Sequence, residues 1–358
     1  MTDTFMRRAL ELARVPAATS PNPRVGAVLV TDGAVVGEGA HLGAGTPHAE
    51  AVALAAAGER ARGATLYVTL EPCFHEGRMP PCAPAVVAAG VTHVVVAIED
   101  PDSRVAGRGI AFLRDNGIEV TTGLLAASAA ELNRAFLHQR KTGRTLITLK
   151  LASTLDGRLA APDRSSRWIT GEEARRFVHA RRAEVDAVMV GVGTVVADDP
   201  QLTTREVSTD RQPVRIVVDA SGRLPAWARV FDTGEVIVAT TAEARSEAKV
   251  AWKDAGAEVM ELPRAGRGVD LSALITSVSD RDWLEILCEG GAELATSLLK
   301  QDLVDRLELH HGPLTIGRGG PDIGDLGFNS MTDAQVWSLA HVDRLGDDVI
   351  SVYDRKRV

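Results

Sequence analysis

The sequence predicts an α/β protein built as two domains. Three observations carry that prediction. Strand-like and helix-like stretches alternate along most of the chain, which is how sheets covered by helices are written in sequence. A length of 358 residues exceeds one ordinary core. A short polar stretch, His138 to Arg144 (HQRKTGR), interrupts the alternation and reads as a joint, giving units at 1–143 and 144–358.

Residues 3 to 15 read as the first helix, with Phe5, Leu10 and Leu12 among its apolar positions. PNPRVGAVLV and GAVVGEGAH read as two strands joined by a Thr-Asp-Gly turn, a hairpin cue. A helix opens at His48 and runs to about Gly58, TLYVTL is a strand, and a helix follows Cys82 (APAVVAAG). THVVVAIED is a β-branched, buried strand ending at Asp100. GRGIAFLRDNG is a helix stopped by Asn-Gly, IEVTTGL a strand, and ASAAELNRAFLHQRK a last helix. The first unit is therefore expected to hold a mixed sheet with helices on both faces.

From Thr145 the pattern restarts. TLITLKLAST is a strand, EEARRFVHARRAEV a helix and DAVMVGVGTVV a strand. PVRIVVDA, EVIVAT, LEILCEGG and RLELHHGPL supply further strands, with helices near 241–255 and 291–300. No internal repeat or low-complexity tract appears.

Composition narrows the function classes. Hydrophobic content of 45% and charged content of 25% are those of a globular protein. A net charge of −8 and 4% aromatic residues argue against a nucleic-acid surface, which needs clustered cations and stacking rings. No apolar run approaches the ~20 residues of a membrane span. Three cysteines, two of them in a metal-like pattern, suit a reducing cytoplasm better than a disulfide framework.

That pattern is the strongest chemical signal. His48 and Glu50 form an H-A-E triplet at a helix start, Cys73 follows a strand in Glu-Pro-Cys, and Cys82 comes nine residues later. One imidazole and two thiolates are ligands zinc prefers, with a fourth position left for water. A Glu beside such ligands is the acid/base of the zinc deaminases. His75 is the alternative fourth ligand, which would make the site structural. The cysteine spacing, C-x8-C, departs from the usual deaminase C-x-x-C and inserts FHEGRMPP beside the metal.

That loop, with PNPRVGAVLV before it and DPDSRVAGRGI after it, resembles the bifunctional riboflavin-biosynthesis deaminase/reductase family. In the second unit KLASTLDGRLA, SRWIT, the EEARRFVHARRAEV helix and GTVVADDPQLTTR follow in the family's order. The resemblance implies a cytidine-deaminase-like α/β/α first domain and a dihydrofolate-reductase-like α/β second domain. It implies zinc-dependent deamination of 2,5-diamino-6-ribosylamino-4(3H)-pyrimidinone 5′-phosphate, then NADPH reduction of the ribosyl group to ribityl. Its zinc ligands are His48, Cys73 and Cys82, one ion per chain, with Glu50 as proton carrier. Its first substrate site is lined by Asn22, His41, Arg78 and Asp100. The implied NADPH positions are Ala152, Trp168, Thr194, Asp198, Gly290 and Gly291. The second substrate site takes Ser166, Arg182, Leu202, Arg205 and Glu289. A cytoplasmic homo-oligomer acting on a phosphorylated small molecule is expected, with neither nucleic acid nor membrane as partner.

The residue types fit these roles. Arg78, Arg182 and Arg205 suit phosphate, and the Gly290–Gly291 turn before a helix suits an anion. No G-x-G-x-x-G is present, which disfavours a Rossmann site. Taken alone, Arg175, His179 and Arg182 at i, i+4, i+7 read as a solvated helix face, and Trp168 as core. Lys150 and Asp156 read as an ion pair or as electrostatic aids, and Cys288 as a buried, inert thiol. His310 and His311 receive no role. Phe74, Met79 and Asp102 depart from the family's usual Ser, Thr and Asn, which leaves as the alternative the same architecture with only one working domain or with an altered pyrimidine nucleotide substrate.

Overall fold

The computed structural model describes residues 2–74, 79–102, 106–207, 209, 211–317 and 320–357. The chain divides into units Met1–Arg144 and Thr145–Val358. Among the described residues no helix is long and apolar enough to cross a membrane.

The first unit runs α1 (Thr2–Arg14), β1 (Gly26–Thr31), β2 (Ala34–Ala40), α2 (Ala49–Ala57), β3 (Thr65–Val68), α3 (Cys82–Ala88), β4 (His93–Val96), α4 (Arg108–Asp115), β5 (Glu119–Thr122), α5 (Ala126–Leu132) and α6 (Arg134–Thr142). Its sheet is mixed, in the order β2-β1-β3-β4-β5. β1 is antiparallel to β2 and β3, whereas β3, β4 and β5 are parallel. The β1–β2 turn places Asp32 at φ 52 and Gly33 at φ 77, the two positive values a tight primed turn requires. Met6, Ala9 and Leu10 of α1 pack on Val28, Val30, Tyr67 and Val95, one face of the sheet. α2 lies so close to β2 that a Cβ on Gly39 would sit 2.1 Å from the Ala49 carbonyl. That approach brings the start of α2 beside the end of β2, and His48 beside His41.

One expectation needs correction here. The single helix read over ASAAELNRAFLHQRK is broken at Asn133, whose buried amide accepts from Arg24 N–H (2.8 Å) and donates to Arg24 C=O (2.9 Å). Serving the chain just before β1 turns the backbone out of helix at that residue. The second of the two helices, α6, runs through Thr142 and ends at Gly143 in left-handed conformation, at the joint between the units.

The second unit runs β6 (Leu146–Ser153), α7 (Glu172–Glu184), β7 (Ala187–Gly191), α8 (Val192–Asp198), β8 (Val214–Val218), β9 (Val236–Thr240), α9 (Ser246–Asp254), β10 (Glu258–Glu261), β11 (Arg264–Ala265), β12 (Gly268–Val269), α10 (Leu271–Ser279), β13 (Glu285–Cys288), α11 (Ala292–Lys300), β14 (Arg306–His311), β15 (Val336–Leu345) and β16 (Asp348–Lys356). Nine strands form one sheet, β10-β9-β8-β7-β13-β6-β14-β16-β15, parallel from β10 to β14 and antiparallel at the β14–β16–β15 edge. Alternation along β7 gives it two cores. Ala187 and Met189 join α10 and α11 on one face, and Val188 and Val190 join α9 on the other.

DAVMVGVGTVV, read as one strand, is β7 followed directly by α8, with Gly191 as the N-cap. Val192 and Val195 bury against the sheet, so packing overrides the β-branched preference. Strands β10 to β12, β15 and β16 and helix α10 add to the elements read from sequence.

Candidate active sites

In the first unit, His48 is the N-cap of α2, with extended backbone (φ −70, ψ 156). Glu50 follows in the first turn and is buried. Cys82 opens α3, and its backbone N–H donates to Cys73 Sγ at 3.3 Å. His48 Nδ1 lies 3.2 Å from Cys82 Sγ and 3.5 Å from Cys73 Sγ, and the three ligand atoms all fall within 4.8 Å of one another. Zinc bonds of about 2.1 and 2.3 Å at tetrahedral angles put ligand atoms roughly 3.6 Å apart, so the donor set and its spacing fit that ion.

The electrostatics suit the same reading. A hydrogen bond from Cys82, with His48 adding to it, brings the Cys73 thiol down to about 4. The hydrogen bond that Cys82 gives to Cys73, together with burial, pushes Cys82 up. Burial, with the Cys73 thiolate nearby, pushes the Glu50 carboxyl up to about 7.

Around this centre Asn22 and His41 come together. Asn22 Nδ2 is 2.9 Å from His41 Nε2, and His41 Nδ1 is 3.1 Å from the Pro47 carbonyl. The carbonyl can only accept, so Nδ1 carries the proton and Nε2 accepts from Asn22. Burial lowers the His41 pKa and keeps the ring neutral, edge-on to His48 with centroids 5.3 Å apart. His41 thus orients Asn22. Asp100 is half-buried, its carboxyl pushed up by burial, and Asp102 N–H donates to its Oδ1 at 2.9 Å. Phe74 stacks on Phe112 with centroids 4.6 Å apart. Arg78 and His75 lie outside the described residues. Sequence reasoning missed Glu71, a buried carboxylate two residues before Cys73. The Glu-Pro-Cys triplet was its only signal.

In the second unit Ala152, Thr194, Glu289, Gly290 and Gly291 lie at the carboxyl ends of β6, β7 and β13, neighbours at the middle of the sheet, where open parallel sheets bind ligands. Gly290 (φ 91) and Gly291 (φ 86) make the turn into α11. A Cβ on Gly291 would lie 2.9 Å from Thr194 Oγ1, so this turn and α8 are packed backbone to side chain. Ala152 sits near the end of β6 and Asp198 at the end of α8, where the Arg167 guanidinium donates to the Asp198 carbonyl.

Trp168 is 63% exposed, not core, and its ring carries the Arg175 guanidinium at 4.5 Å. Ser166 lies two residues before it, and its carbonyl accepts from Ile169 N–H. Arg182 donates to Glu289 through two nitrogens (2.5 and 2.8 Å) and to the Thr203 carbonyl (3.0 Å). Burial opposes both charges, yet each partner outweighs it and holds the other ionised. His179 Nδ1 also meets the Thr203 carbonyl, at 3.1 Å. The Arg175, His179 and Arg182 face is therefore turned onto loops of the unit rather than solvated. Arg205 is exposed and reaches Gln201. Leu202 is buried in an apolar cluster, which leaves its backbone for contact.

Asp156 makes no pair with Lys150. It accepts from Thr154 Oγ1 and the N–H groups of Ile316 and Gly317, which hold it down to about 2. Lys150 lies among Glu289, Arg182 and Glu308, and burial lowers its pKa. Arg181, which the sequence reading left out, is buried and bonds Glu184, Glu285 and Glu308 at 2.5, 2.6 and 3.1 Å. His310 beside it is fully buried, and both ring nitrogens lack a hydrogen-bond partner among the described residues. Cys288 is fully buried and pushed up to about 12, an inert thiol as read.

Fold and donor set define the first unit as a zinc-dependent deaminase domain, joined here to a large parallel-sheet domain. Residues 1–98 match the cytidine and deoxycytidylate deaminase zinc-binding region, and residues 145–351 match the RibD C-terminal domain. The chain is 42% identical to riboflavin biosynthesis protein RibD of Aquifex aeolicus, over 98% of both chains. It is 41% identical to the Escherichia coli protein, over 96% of this chain and 97% of the relative. Among solved structures, RibD of Acinetobacter baumannii matches with a TM-score of 0.86 at 39% identity, covering 99% of this chain and 98% of the other. A Thermotoga maritima diaminohydroxyphosphoribosylaminopyrimidine deaminase/5-amino-6-(5-phosphoribosylamino)uracil reductase matches with a TM-score of 0.86 at 33% identity, covering 99% and 98%. The chain belongs to the RibD family of bifunctional riboflavin-biosynthesis deaminase/reductases, with a cytidine-deaminase-type first domain and a dihydrofolate-reductase-like second domain.

Proposed function

We propose that the first unit deaminates 2,5-diamino-6-ribosylamino-4(3H)-pyrimidinone 5′-phosphate and that the second reduces the ribosyl group of the product to ribityl with NADPH. The observation that carries this reading is the buried Glu50 carboxyl in the turn that follows His48, beside three zinc-type donors in a chain related to RibD along its whole length. Zinc, when held by His48, Cys73 and Cys82, supplies an activated water. Glu50 would take one proton from that water and deliver it to the ring nitrogen, then carry the second, from the hydroxyl added to the ring carbon, to the amine that leaves as ammonia. Asn22, held by His41, and Asp100 offer polar contacts to the pyrimidine nucleotide, and Arg78 suits its phosphate.

In the second unit, the Gly290–Gly291 turn, Thr194, Asp198, Ala152 and the open face of Trp168 would take NADPH. Ser166, Arg205 and the backbone at Leu202 would take the substrate, next to the Arg182–Glu289 pair. Hydride transfer to the opened, imine-like sugar carbon needs chiefly proximity and orientation. Three unpaired cysteines and net charge −8 support a cytoplasmic enzyme without nucleic-acid partners, and we assign it as a homo-oligomer.

Mass spectrometry of products formed from the diaminopyrimidine tests both halves. Zinc-loaded protein should release ammonia without NADPH and yield the ribityl product only with it. Unchanged substrate under both conditions overturns the reading, and one step without the other identifies a chain with a single working domain.

A further inference from the structure

Glu71 is three residues beyond the end of β3 and two before Cys73, yet its carboxylate is buried, with 3% of the residue exposed. Oε2 accepts from Asp100 N–H (3.2 Å) and from Gly107 N–H (3.0 Å), and Oε1 accepts from Ile110 N–H (3.2 Å). One oxygen therefore grips both ends of the stretch from Asp100 to Gly107, while the other holds the first turn of α4. The Glu71 backbone N–H is tied to the Ile98 carbonyl (3.0 Å), at the foot of the same stretch. α4 has no slack against this segment, because a Cβ on Gly109 would lie 2.0 Å from the Pro72 carbonyl.

A helix cap alone would need only the amides of α4. The bond from Asp100 N–H adds a residue on the substrate side and ties its backbone directly to the carboxylate two residues before Cys73. We propose that Glu71 is a positioning residue of the deaminase, which fixes Asp100 relative to Cys73. It touches neither the metal nor the substrate and acts through Asp100. The proposal rests on the reading that Asp100 contacts the pyrimidine nucleotide.

The test is a double-mutant cycle in the full-length zinc enzyme. Glu71→Gln keeps the side-chain volume but replaces one accepting oxygen with a donor, which must then face a backbone N–H. Deaminase KM should rise about five- to tenfold, with kcat within about twofold, as expected when a charge-assisted bond that acts on binding is lost. Zinc per chain and the reductase rate of the same chain should stay at wild-type values. In an Asp100→Ala background the same change should add nothing further to KM.

Additive KM effects, loss of zinc, or a fall in kcat alone would overturn the positioning role. An Asp100→Ala variant with unchanged KM removes the reading beneath it. If Asp100→Ala raises KM and Glu71→Gln does not, only the Glu71 assignment falls. Should Glu71→Gln fail to fold, Glu71→Asp keeps the charge and shortens the reach. A smaller KM rise in the same direction supports the proposal, and an unchanged KM or lost zinc overturns it.

Discussion

Two glutamates set the two units apart. Glu50 is buried among zinc-type donors next to Cys73, and burial pushes its carboxyl up to about 7. Glu289 keeps 9% of its side chain exposed, and the Arg182 guanidinium holds it below the usual carboxylate range. On the proposed reading the first moves a proton, and the second keeps its charge. The surroundings repeat this contrast. The metal donors of the first site come from local turns and helix starts within His48–Cys82, whereas the second rests on a layer in which Arg181 and Arg182 of α7 meet Glu285, Glu289 and Glu308. On the proposed reading Glu50 must change its protonation state, while these arginines and glutamates are paired because an unpaired buried charge is costly.

The largest effect that would break this contrast is at Glu50. Glu50→Gln should lower deaminase kcat by about 10³- to 10⁴-fold, the scale of acid/base catalysis. Zinc content and the reductase rate should stay unchanged, as metal analysis and NADPH oxidation would show. A Glu50→Gln enzyme that still releases ammonia at a comparable rate removes the proton-carrier role.

Arg182 comes next. Arg182→Ala strands the Glu289 carboxylate in a buried setting, and roughly 3–5 kcal/mol of stability should go with it. Thermal unfolding should show a lowered transition, with the reductase rate lost and ammonia release kept at temperatures below it. A variant that melts like the wild type would mean that the pair does not lock this layer.

His310 sharpens the comparison through pH. Its ring is buried without a hydrogen-bond partner among the described residues and is held down to about 2 by burial, with Lys150 and Arg181 beside it and His311 adjoining. The unfolded chain takes up this proton below about pH 6.5 and the folded chain does not, so acid favours unfolding through that window. From pH 7 to pH 5 the second unit should lose about 2 kcal/mol on this account. His310→Leu should flatten the slope by about one proton, measured by denaturant unfolding at several pH values. An equal slope in the variant assigns the acid sensitivity to other groups.

These residues also show what the sequence could and could not tell. His48, Glu50, Cys73 and Cys82 were legible because a metal centre built on one helix start and one strand end needs fixed residue types at short spacing. The β1–β2 hairpin was legible through Asp32–Gly33 for a similar reason, since positive φ at both turn positions restricts composition. Glu71, Asn133 and Arg181 were not. Each acts on backbone or side chains that only the fold brings near: Asn133 serves Arg24 from 109 positions away, and Arg181 serves Glu308 from 127 away. The β15–β16 hairpin escaped because its edge strand keeps Val336, Leu339 and Val342 exposed, which blurs the alternation that marks a half-buried strand. Helix α10 did leave a signal, the N-cap Asp270 bonding Ala273 N–H at 3.0 Å, but its β-branched composition masked it.

The smallest expected effect lies at the one exposed aromatic of the second site. Arg175 holds Trp168 from one side, its guanidinium 4.5 Å from the ring centroid and its Nη1 donating to the Thr170 carbonyl at 2.8 Å. An exposed cation–π contact is worth about 0.5–1 kcal/mol. Arg175→Leu should therefore raise KM for NADPH by about two- to fivefold and leave kcat and ammonia release unchanged. Trp168→Ala should exceed that shift, since it removes the platform and not just its support. If Arg175→Leu moves kcat instead, the ring acts on the chemical step and not only on cofactor binding. If neither substitution changes KM, Trp168 is not a cofactor face, and the contrast narrows to the Arg182–Glu289 pair and the residues beside it.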